Sequence, residues 1–253
     1  MLNYVFFGND TTLPPLLIAH GLFGSARNWG AIARRMADGR RVVAVDMRNH
    51  ADSFWSASHT YADLAGDLAE VIENVGKPMD VVGHSMGGKA AMVLALTRPE
   101  LVNRLIVADI APVSYDHSNL PLVTAMQSLD LSGLTSRAEA DRRLSVAVPD
   151  AGTRAFLLQS LDLKAEPPRW RLNLEVLGKE MANVTGWPEV SGRYEGPTLF
   201  LAGAESNYVL SEYREKIKKL FPNARIAKIP GAGHWLHADK PREFEAAQRV
   251  FLG

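Results

Sequence analysis

Short, continuous apolar runs alternate along this chain with stretches of helical spacing. Unbroken apolar runs of about four residues are typical of strands that are covered on both faces. Strand–helix alternation with short connections predicts a mostly parallel α/β sheet flanked by helices. The runs are Leu16–Ala19, Val42–Val45, Val81–Val82, Leu105–Ala108 and Leu199–Ala202, with a weaker one at Ile226–Ile229.

The stretches between and after these runs predict the helices. Tyr61–Val75 places aliphatic side chains along one side, and Ala90–Leu96 is small and apolar all round, as expected of a buried helix. Ser211–Leu220 and Arg242–Leu252 have the pattern of amphipathic helices. We expect Leu2–Phe7 to be an edge strand.

One region interrupts the alternation. Between Pro112 and Asn183 there is no convincing buried strand, and prolines separate several helix-like pieces. We therefore expect a helical insertion, or cap, over residues 112–183, within an α/β core formed by residues 1–111 and 184–253. The helix-like pieces are Leu120–Leu129, Arg137–Val146, Ala155–Leu161 and Trp170–Met181.

Charge and composition argue against several classes of protein. The 253 residues contain 28 Lys and Arg, 28 Asp and Glu, and no cysteine. A balanced charge gives no global field for nucleic acid or an anionic membrane, and a chain without cysteine has no disulfide, thiolate nucleophile or Cys-ligated zinc. No apolar run approaches the ~18 residues that span a bilayer, and the first residues lack a signal-peptide pattern, so we expect a cytoplasmic protein.

The sharpest motif is Gly-His-Ser-Met-Gly at Gly83–Gly87, between the run Val81–Val82 and the helical stretch Ala90–Leu96. Gly-x-Ser-x-Gly between a strand and a helix is typical of a serine nucleophile on a tight turn. The glycines avoid collisions with neighbouring elements, and amides at the start of the helix can stabilise negative charge. Ser85 is therefore the candidate nucleophile.

The same segment admits a second interpretation. Gly83, Gly88 and Lys89 also fit the Gly-x4-Gly-Lys pattern of a phosphate-binding loop, and Leu105–Asp109 resembles a strand that ends in a magnesium-binding aspartate. That loop requires Ser or Thr after the lysine to bind Mg²⁺, whereas residue 90 is alanine. The nucleotide-binding hypothesis is therefore the weaker one.

A glycine-rich turn, His20–Gly24, follows the first buried run. A serine acyl-transfer site of this architecture needs a second backbone amide for the oxyanion, supplied by the loop after an adjacent strand. Leu22 is the candidate for that donor and Met86 for the other. A simple strand-to-helix turn would use the same glycines.

Of the seven histidines, His234 is best placed to act as a general base. It lies in the small-residue loop Gly231–Trp235 after the last strand-like run, at the edge where open α/β sheets bind ligands. We expect His84 to point away from the serine hydroxyl, His237 to belong to a surface turn, and His59 to be solvated.

Three further residues are candidates for contact with substrate: Phe23, His50 and Trp235. His50 ends the segment Asp46–His50, which follows the strand Val42–Val45. A hydrogen-bond network that fixes this loop is the favoured interpretation of His50, with direct contact as the alternative.

A serine–histidine pair also needs a carboxylate to orient the imidazole. Its commonest place is the loop after the strand Leu199–Ala202, but Ser206 stands where aspartate is usual. Asp109 offers a carboxylate at the end of the neighbouring strand Leu105–Ala108. We favour Asp109 and keep Glu205 as the alternative.

Four segments together resemble α/β-hydrolases, and more closely small bacterial esterases of the YbfF type: His20–Ser25, Asp46–His50, Gly83–Lys89 and Asp109–Pro112. The order Ser85, Asp109, His234 matches the nucleophile–acid–base order of that fold. The resemblance implies an α/β-hydrolase fold with a helical cap, an acid after the sixth strand, and no metal or organic cofactor. Ala51 departs from the pattern, because relatives usually have glycine there.

The residues and the resemblance together predict a serine esterase that forms an acyl-enzyme. The expected partners are small-molecule esters of short to medium acyl chains, with acyl-CoA thioesters as a further class. Neither nucleic acid nor a membrane is expected as a partner. The alternatives are a cofactor-free perhydrolase or C–C hydrolase of the same fold, and a ligand-binding homologue with slow turnover.

Overall fold

The computed structural model describes all residues, 1–253. Nine strands occur, in chain order β1 (Tyr4–Phe7), β2 (Leu16–Ala19), β3 (Val42–Val45), β4 (Met79–His84), β5 (Val102–Ala108), β6 (Leu161–Asp162), β7 (Arg169–Trp170), β8 (Thr198–Gly203) and β9 (Ala224–Ile229). The helices are α1 (Gly30–Met36), α2 (Tyr61–Val75), α3 (Met86–Thr97), α4 (Leu120–Gln127), α5 (Arg137–Leu144), α6 (Ala151–Leu157), α7 (Leu174–Lys179), α8 (Met181–Thr185), α9 (Arg214–Leu220), α10 (Leu236–Asp239) and α11 (Pro241–Leu252). Single 3-10 turns lie at Ala26–Trp29, Pro99–Leu101, Leu158–Ser160 and Ser211–Tyr213.

Seven strands form one sheet in the order β1-β3-β2-β4-β5-β8-β9. Every neighbouring pair is parallel except β1 and β3, so β1 is an antiparallel edge strand, as expected from Leu2–Phe7. The predicted fold class, a mostly parallel sheet flanked by helices, is confirmed.

Both faces of the sheet are covered, which explains the unbroken apolar runs. Along β2, Leu17 and Ala19 belong to the larger core cluster together with residues of α2 and α3. Leu16 and Ile18 point to the other face and pack with residues of α1 and α11. Alternate side chains therefore enter two cores, and neither set can be polar.

Parallel pairing brings several loops to one edge of the sheet. In register, Ala19 is paired with Gly83, and Gly83 with Val107. The turns that follow β2, β4, β5 and β8 consequently meet at the carboxyl ends of their strands. This edge is where open α/β sheets bind ligands.

The region between β5 and β8 is mostly helical, with three differences from the expected pieces. Leu161, expected to end the piece Ala155–Leu161, begins strand β6 instead. Trp170 lies in the two-stranded antiparallel hairpin β6–β7 rather than in a helix, and its indole N–H donates to the Met126 carbonyl at 2.8 Å. The expected boundary at residue 183 falls inside α8, which continues to Thr185 because the Gly186 amide still donates to Ala182 at 2.9 Å.

No helix is both long enough and apolar enough to cross a membrane.

The loop after β3 contains an alanine in a conformation that favours glycine. Ala51 has a φ of 48°. The left-handed region costs a residue with a Cβ roughly 1–2 kcal/mol, partly offset by the greater unfolded-state freedom of glycine. Ala51→Gly is therefore expected to raise the free energy of unfolding by about 0.5–1 kcal/mol, measured by chemical denaturation.

Ala37 provides the matched control, because its φ is −75°. There the same change to glycine removes no strain, so a loss of stability is expected. Equal changes in the free energy of unfolding at both positions would contradict backbone strain at Ala51.

Candidate active site

The Ser85 turn owes its shape to the glycines around it. Ser85 has a φ of 53° and directly precedes the first residue of α3. A Cβ on Gly83 would lie 2.3 Å from the Gly87 carbonyl oxygen, and one on Gly87 would lie 2.4 Å from that of Ala19. Larger residues would push the turn away from its neighbouring strand, so the motif sets the position of the hydroxyl.

Ser85, His234 and Asp109 form one chain of hydrogen bonds. His234 Nε2 lies 3.1 Å from Ser85 Oγ, and His234 Nδ1 lies 2.7 Å from Asp109 Oδ2. Because a carboxylate accepts, Nδ1 carries the imidazole proton and Nε2 is free to accept from the serine hydroxyl.

The carboxylate of Asp109 is fully buried, and both of its oxygens accept hydrogen bonds. The Gly203 amide donates to Oδ1 at 2.9 Å, and the Ser206 hydroxyl donates to Oδ2. Ser206 thus occupies the position where aspartate is usual and supports the carboxylate of the neighbouring strand. Glu205 has an exposed side chain without a bond to His234.

Two backbone amides next to Ser85 are available to a ligand. The Leu22 amide donates to no group of the chain, and Met86 begins α3, where an amide has no acceptor within the helix. By contrast, the Phe23 amide is occupied, because it donates to His50 Nε2 at 3.1 Å.

His50 lies behind the loop that carries Leu22. Its Nδ1–H donates to the Arg48 carbonyl at 2.8 Å, which leaves Nε2 to accept from Phe23. His50 is fully buried and does not line the cleft beside Ser85, so the alternative of direct substrate contact does not fit. The loop-fixing interpretation of His50 agrees with these bonds.

A narrow cleft of about 70 Å³ opens beside Ser85 and His234. Phe23 and Trp235, two candidates for contact with substrate, both line it. Side chains of the helical insertion cover its other side, namely Asn119, Leu122, Thr153, Phe156 and Leu157.

Comparison with known proteins identifies the family of this chain. Residues 14–241 match the family described as alpha/beta hydrolase fold. The chain belongs to this α/β-hydrolase family.

Three relatives of this α/β-hydrolase are informative. The sn-1-specific diacylglycerol lipase ABHD11 of Mus musculus is 41% identical over 260 residues, which cover 99% of this chain and 85% of that protein. Esterase YbfF of Escherichia coli strain K12 is 34% identical over 247 residues, covering 96% and 95%. A solved structure named marine microorganism esterase superposes with a TM-score of 0.94 at 36% identity, covering 99% of this chain and 98% of that one.

These relatives show that this α/β-hydrolase is a carboxylic ester hydrolase close to YbfF-type esterases. The nucleotide-binding hypothesis for the segment at Gly83 is wrong. Lys89, which would contact the phosphates, is 1% exposed and donates to backbone carbonyls instead.

Sequence analysis missed one aromatic residue of the hydrolase site. The Tyr208 ring stacks on the His234 ring, with centroids 4.0 Å apart and planes inclined by 22°. Tyr208 lies in the loop after β8, where the sequence pattern pointed only to a carboxylate. An aromatic residue at the carboxyl end of a strand was the available signal, but its stacking partner comes from another loop.

Two expectations about histidines of this hydrolase are wrong. His59 is 1% exposed, and its Nε2 lies 3.3 Å from Met86 Sδ. His237 belongs to α10, and its ring stacks on Trp29 with centroids 4.1 Å apart. Both positions follow from loops packing across the sheet edge, which local sequence does not reveal.

Five histidines should make the hydrolase sensitive to mild acid. Burial lowers the pKa of each below 6.5: to about 4 for His20, to about 3 for His50, His59 and His237, and well below the usual range for His84. The unfolded chain takes up these protons near pH 6.5 while the folded chain does not. Stability is therefore complete above pH 6.5 and lost as the pH falls, by roughly 5–7 kcal/mol between pH 7.5 and 5.5.

Denaturant titrations at several pH values measure this loss. His59→Gln removes one of the five groups, so the slope of stability against pH should fall by about a fifth. A wild-type stability that is constant from pH 7.5 to 5.5 would contradict neutral burial of these rings.

Proposed function

We propose that this protein is a serine esterase in which Ser85 is the nucleophile, His234 the general base and Asp109 the group that orients His234. One observation carries the proposal: the unbroken relay Ser85 Oγ–His234–Asp109, with links of 3.1 and 2.7 Å, beside an apolar cleft. Links of this length transfer a proton without rearrangement of the site.

The reaction begins when His234 Nε2 accepts the Ser85 proton and Oγ attacks the acyl carbonyl carbon. The amides of Leu22 and Met86 stabilise the oxyanion, and each such donor contributes about 2.7–4 kcal/mol in comparable sites. His234 then protonates the leaving alcohol as the C–O bond breaks, which leaves an acyl-enzyme. His234 next activates a water molecule, which attacks the acyl-enzyme, and the resulting tetrahedral intermediate collapses to the free acid and Ser85.

We propose that the helical insertion, expected at residues 112–183, acts as the cap of this site. It contacts the turn His20–Gly24, which carries Leu22, because Ser160 Oγ donates to the Phe23 carbonyl at 3.0 Å. Its apolar side chains narrow the cleft to about 70 Å³. So small a space favours acyl chains of short to medium length.

The lining of the cleft suits a leaving group that is an uncharged alcohol. The residues that line the cleft beside Ser85 include no lysine or arginine, the groups that hold phosphates such as those of coenzyme A. We therefore rank carboxylic esters, including glycerol esters of the kind named for the ABHD11 relative, above acyl-CoA thioesters.

A substrate panel with an active-site probe tests this proposal. The purified protein should hydrolyse p-nitrophenyl butyrate faster than p-nitrophenyl palmitate and faster than butyryl-CoA, and a fluorophosphonate should label it. An unlabelled protein that hydrolyses none of these compounds would favour the slow-turnover binding protein. A preference for butyryl-CoA would overturn the ranking of substrates alone.

A further inference from the structure

The Tyr208 ring covers one face of the His234 imidazole. The two centroids are 4.0 Å apart and the planes are inclined by only 22°, so the rings are stacked. The hydrogen bonds of His234 to Ser85 and Asp109 lie at the edge of the imidazole and not on its face. The stack therefore opposes rotation of the imidazole away from these two partners.

Tyr208 is itself fixed by bonds to three other residues. Its hydroxyl lies 2.6 Å from Nε2 of His117, which belongs to the helical insertion. Its carbonyl accepts from the Tyr115 hydroxyl at 2.6 Å, and its amide donates to Ser206 Oγ at 3.3 Å. Because both the main chain and the tip of the side chain are held, the ring has a defined place over the imidazole.

The stack is stronger when the imidazole carries a charge. Aromatic faces attract cations that lie within about 6 Å of the ring centroid, and tyrosine is among the rings that do so. In the proposed reaction His234 becomes an imidazolium when Nε2 takes the Ser85 proton. An attraction that is greater in this charged state than in the ground state lowers the barrier.

The other titratable groups around His234 do not replace this ring. The His84 centroid is 4.8 Å from that of His234, and His237 lies 4.8 Å beyond His84. Burial lowers the pKa of His84 well below the usual range and that of His237 to about 3. Desolvation also lowers the pKa of His117. These three rings are harder to protonate than free histidine, and the charged group that contacts His234 is Asp109.

We propose that Tyr208 is a positioning residue of the reaction, which keeps the imidazole of His234 in line with Ser85 and stabilises its protonated form through the ring face. The helical insertion in turn fixes this ring through His117. Formation and hydrolysis of the acyl-enzyme each pass through a protonated His234, so the ring acts in both half-reactions. This inference rests on the proposed function of Ser85 and His234.

Three replacements of Tyr208 separate its ring from its bulk. Tyr208→Phe keeps the ring, so kcat for p-nitrophenyl butyrate should stay within about threefold of wild type. Tyr208→Leu removes the ring and should lower kcat by about 3–30-fold. It should also move the acidic limb of the kcat/KM profile to lower pH by about 0.5–1.5 units, because the protonated, inactive form of the base loses its stabilisation.

The third replacement, of Tyr208 with 4-cyanophenylalanine, keeps a ring of the same shape but withdraws electrons from its face. It should move the acidic limb in the same direction as leucine does, although it fills the space of the tyrosine. Far-UV circular dichroism at each pH shows that the compared proteins are folded, which matters because mild acid is expected to lower stability.

Tyr213→Leu is the matched control. The Tyr213 ring contacts Tyr115, with centroids 6.2 Å apart, and has no contact with His234. The control should therefore leave both kcat and the acidic limb unchanged.

The inference is overturned if Tyr208→Leu lowers kcat without moving the acidic limb, which is the result expected of packing alone. It is also overturned if the phenylalanine and 4-cyanophenylalanine variants share one acidic limb, and this comparison stands even if Tyr208→Leu does not fold. A loss of more than tenfold in Tyr208→Phe would assign the effect to the hydroxyl instead of the ring. A wild-type protein that neither hydrolyses the ester nor reacts with a fluorophosphonate would remove the proposed function itself.

Discussion

Replacing Ser85 with alanine is expected to lower kcat for p-nitrophenyl butyrate by about 10³–10⁶-fold. In the proposed mechanism the variant lacks the oxygen that attacks the carbonyl, while the amides of Leu22 and Met86 remain to bind an oxyanion. Without the serine oxygen, a water molecule must attack the ester carbonyl directly, and the site does not position water for that attack. Initial rates with the purified variant, measured at saturating substrate, give the size of the loss.

Fluorophosphonate labelling separates lost chemistry from lost structure. Ser85→Ala should be unlabelled although its circular dichroism spectrum and melting temperature stay close to wild type, because alanine fits wherever serine does. Ser132→Ala, at an exposed serine of the helical insertion, should keep both labelling and rate. A labelled and active Ser85→Ala protein would require another nucleophile.

Asp109→Asn is expected to lower kcat by about 10⁴-fold, the loss typical when the orienting carboxylate of a triad becomes an amide. Asp109 Oδ2 accepts from His234 Nδ1 at 2.7 Å and also from the Ser206 hydroxyl. An asparagine NH₂ group on that side can only donate, so the imidazole proton moves to Nε2. His234 then cannot accept the Ser85 proton.

Glu205→Gln is the matched control, because Glu205 lies in the loop that commonly carries the acid but has an exposed side chain. Its kcat should stay within about twofold of wild type. If Glu205→Gln were inactive and Asp109→Asn active, the carboxylate that orients His234 would be that of Glu205. Melting temperatures of both variants show whether either loss reflects unfolding.

Much of the core was predictable from sequence because burial on both faces leaves a strong local signal. Val42–Val45 and Leu16–Ala19 are strands with the predicted bounds, and Tyr61–Val75 is a helix with the predicted bounds. In each case the environment of adjacent residues is set by the sheet or by the helix period. A short stretch of sequence is therefore sufficient to predict the element.

The helical insertion was less predictable because this local signal is weak there. Its elements are short, such as the two-residue strand that contains Trp170, and they are stabilised by contacts with distant segments. The Trp170 indole bonds to the Met126 carbonyl, 44 residues away along the chain. A helical pattern over Trp170–Met181 did not reveal that contact, and tertiary packing decided the conformation.

The sequence alone determined which chemistry-bearing residues end each strand, since Gly83–Gly87, Asp109 and His234 all follow apolar runs. Parallel strands must present such residues at one edge, so their proximity followed from the order of elements. Only the tertiary structure decided which partners they have: Ser206 on Asp109, Tyr208 on His234, and a lysine buried among carbonyls and rings. Those contacts join residues far apart in the chain, and their geometry is set by packing across loops that no local pattern encodes.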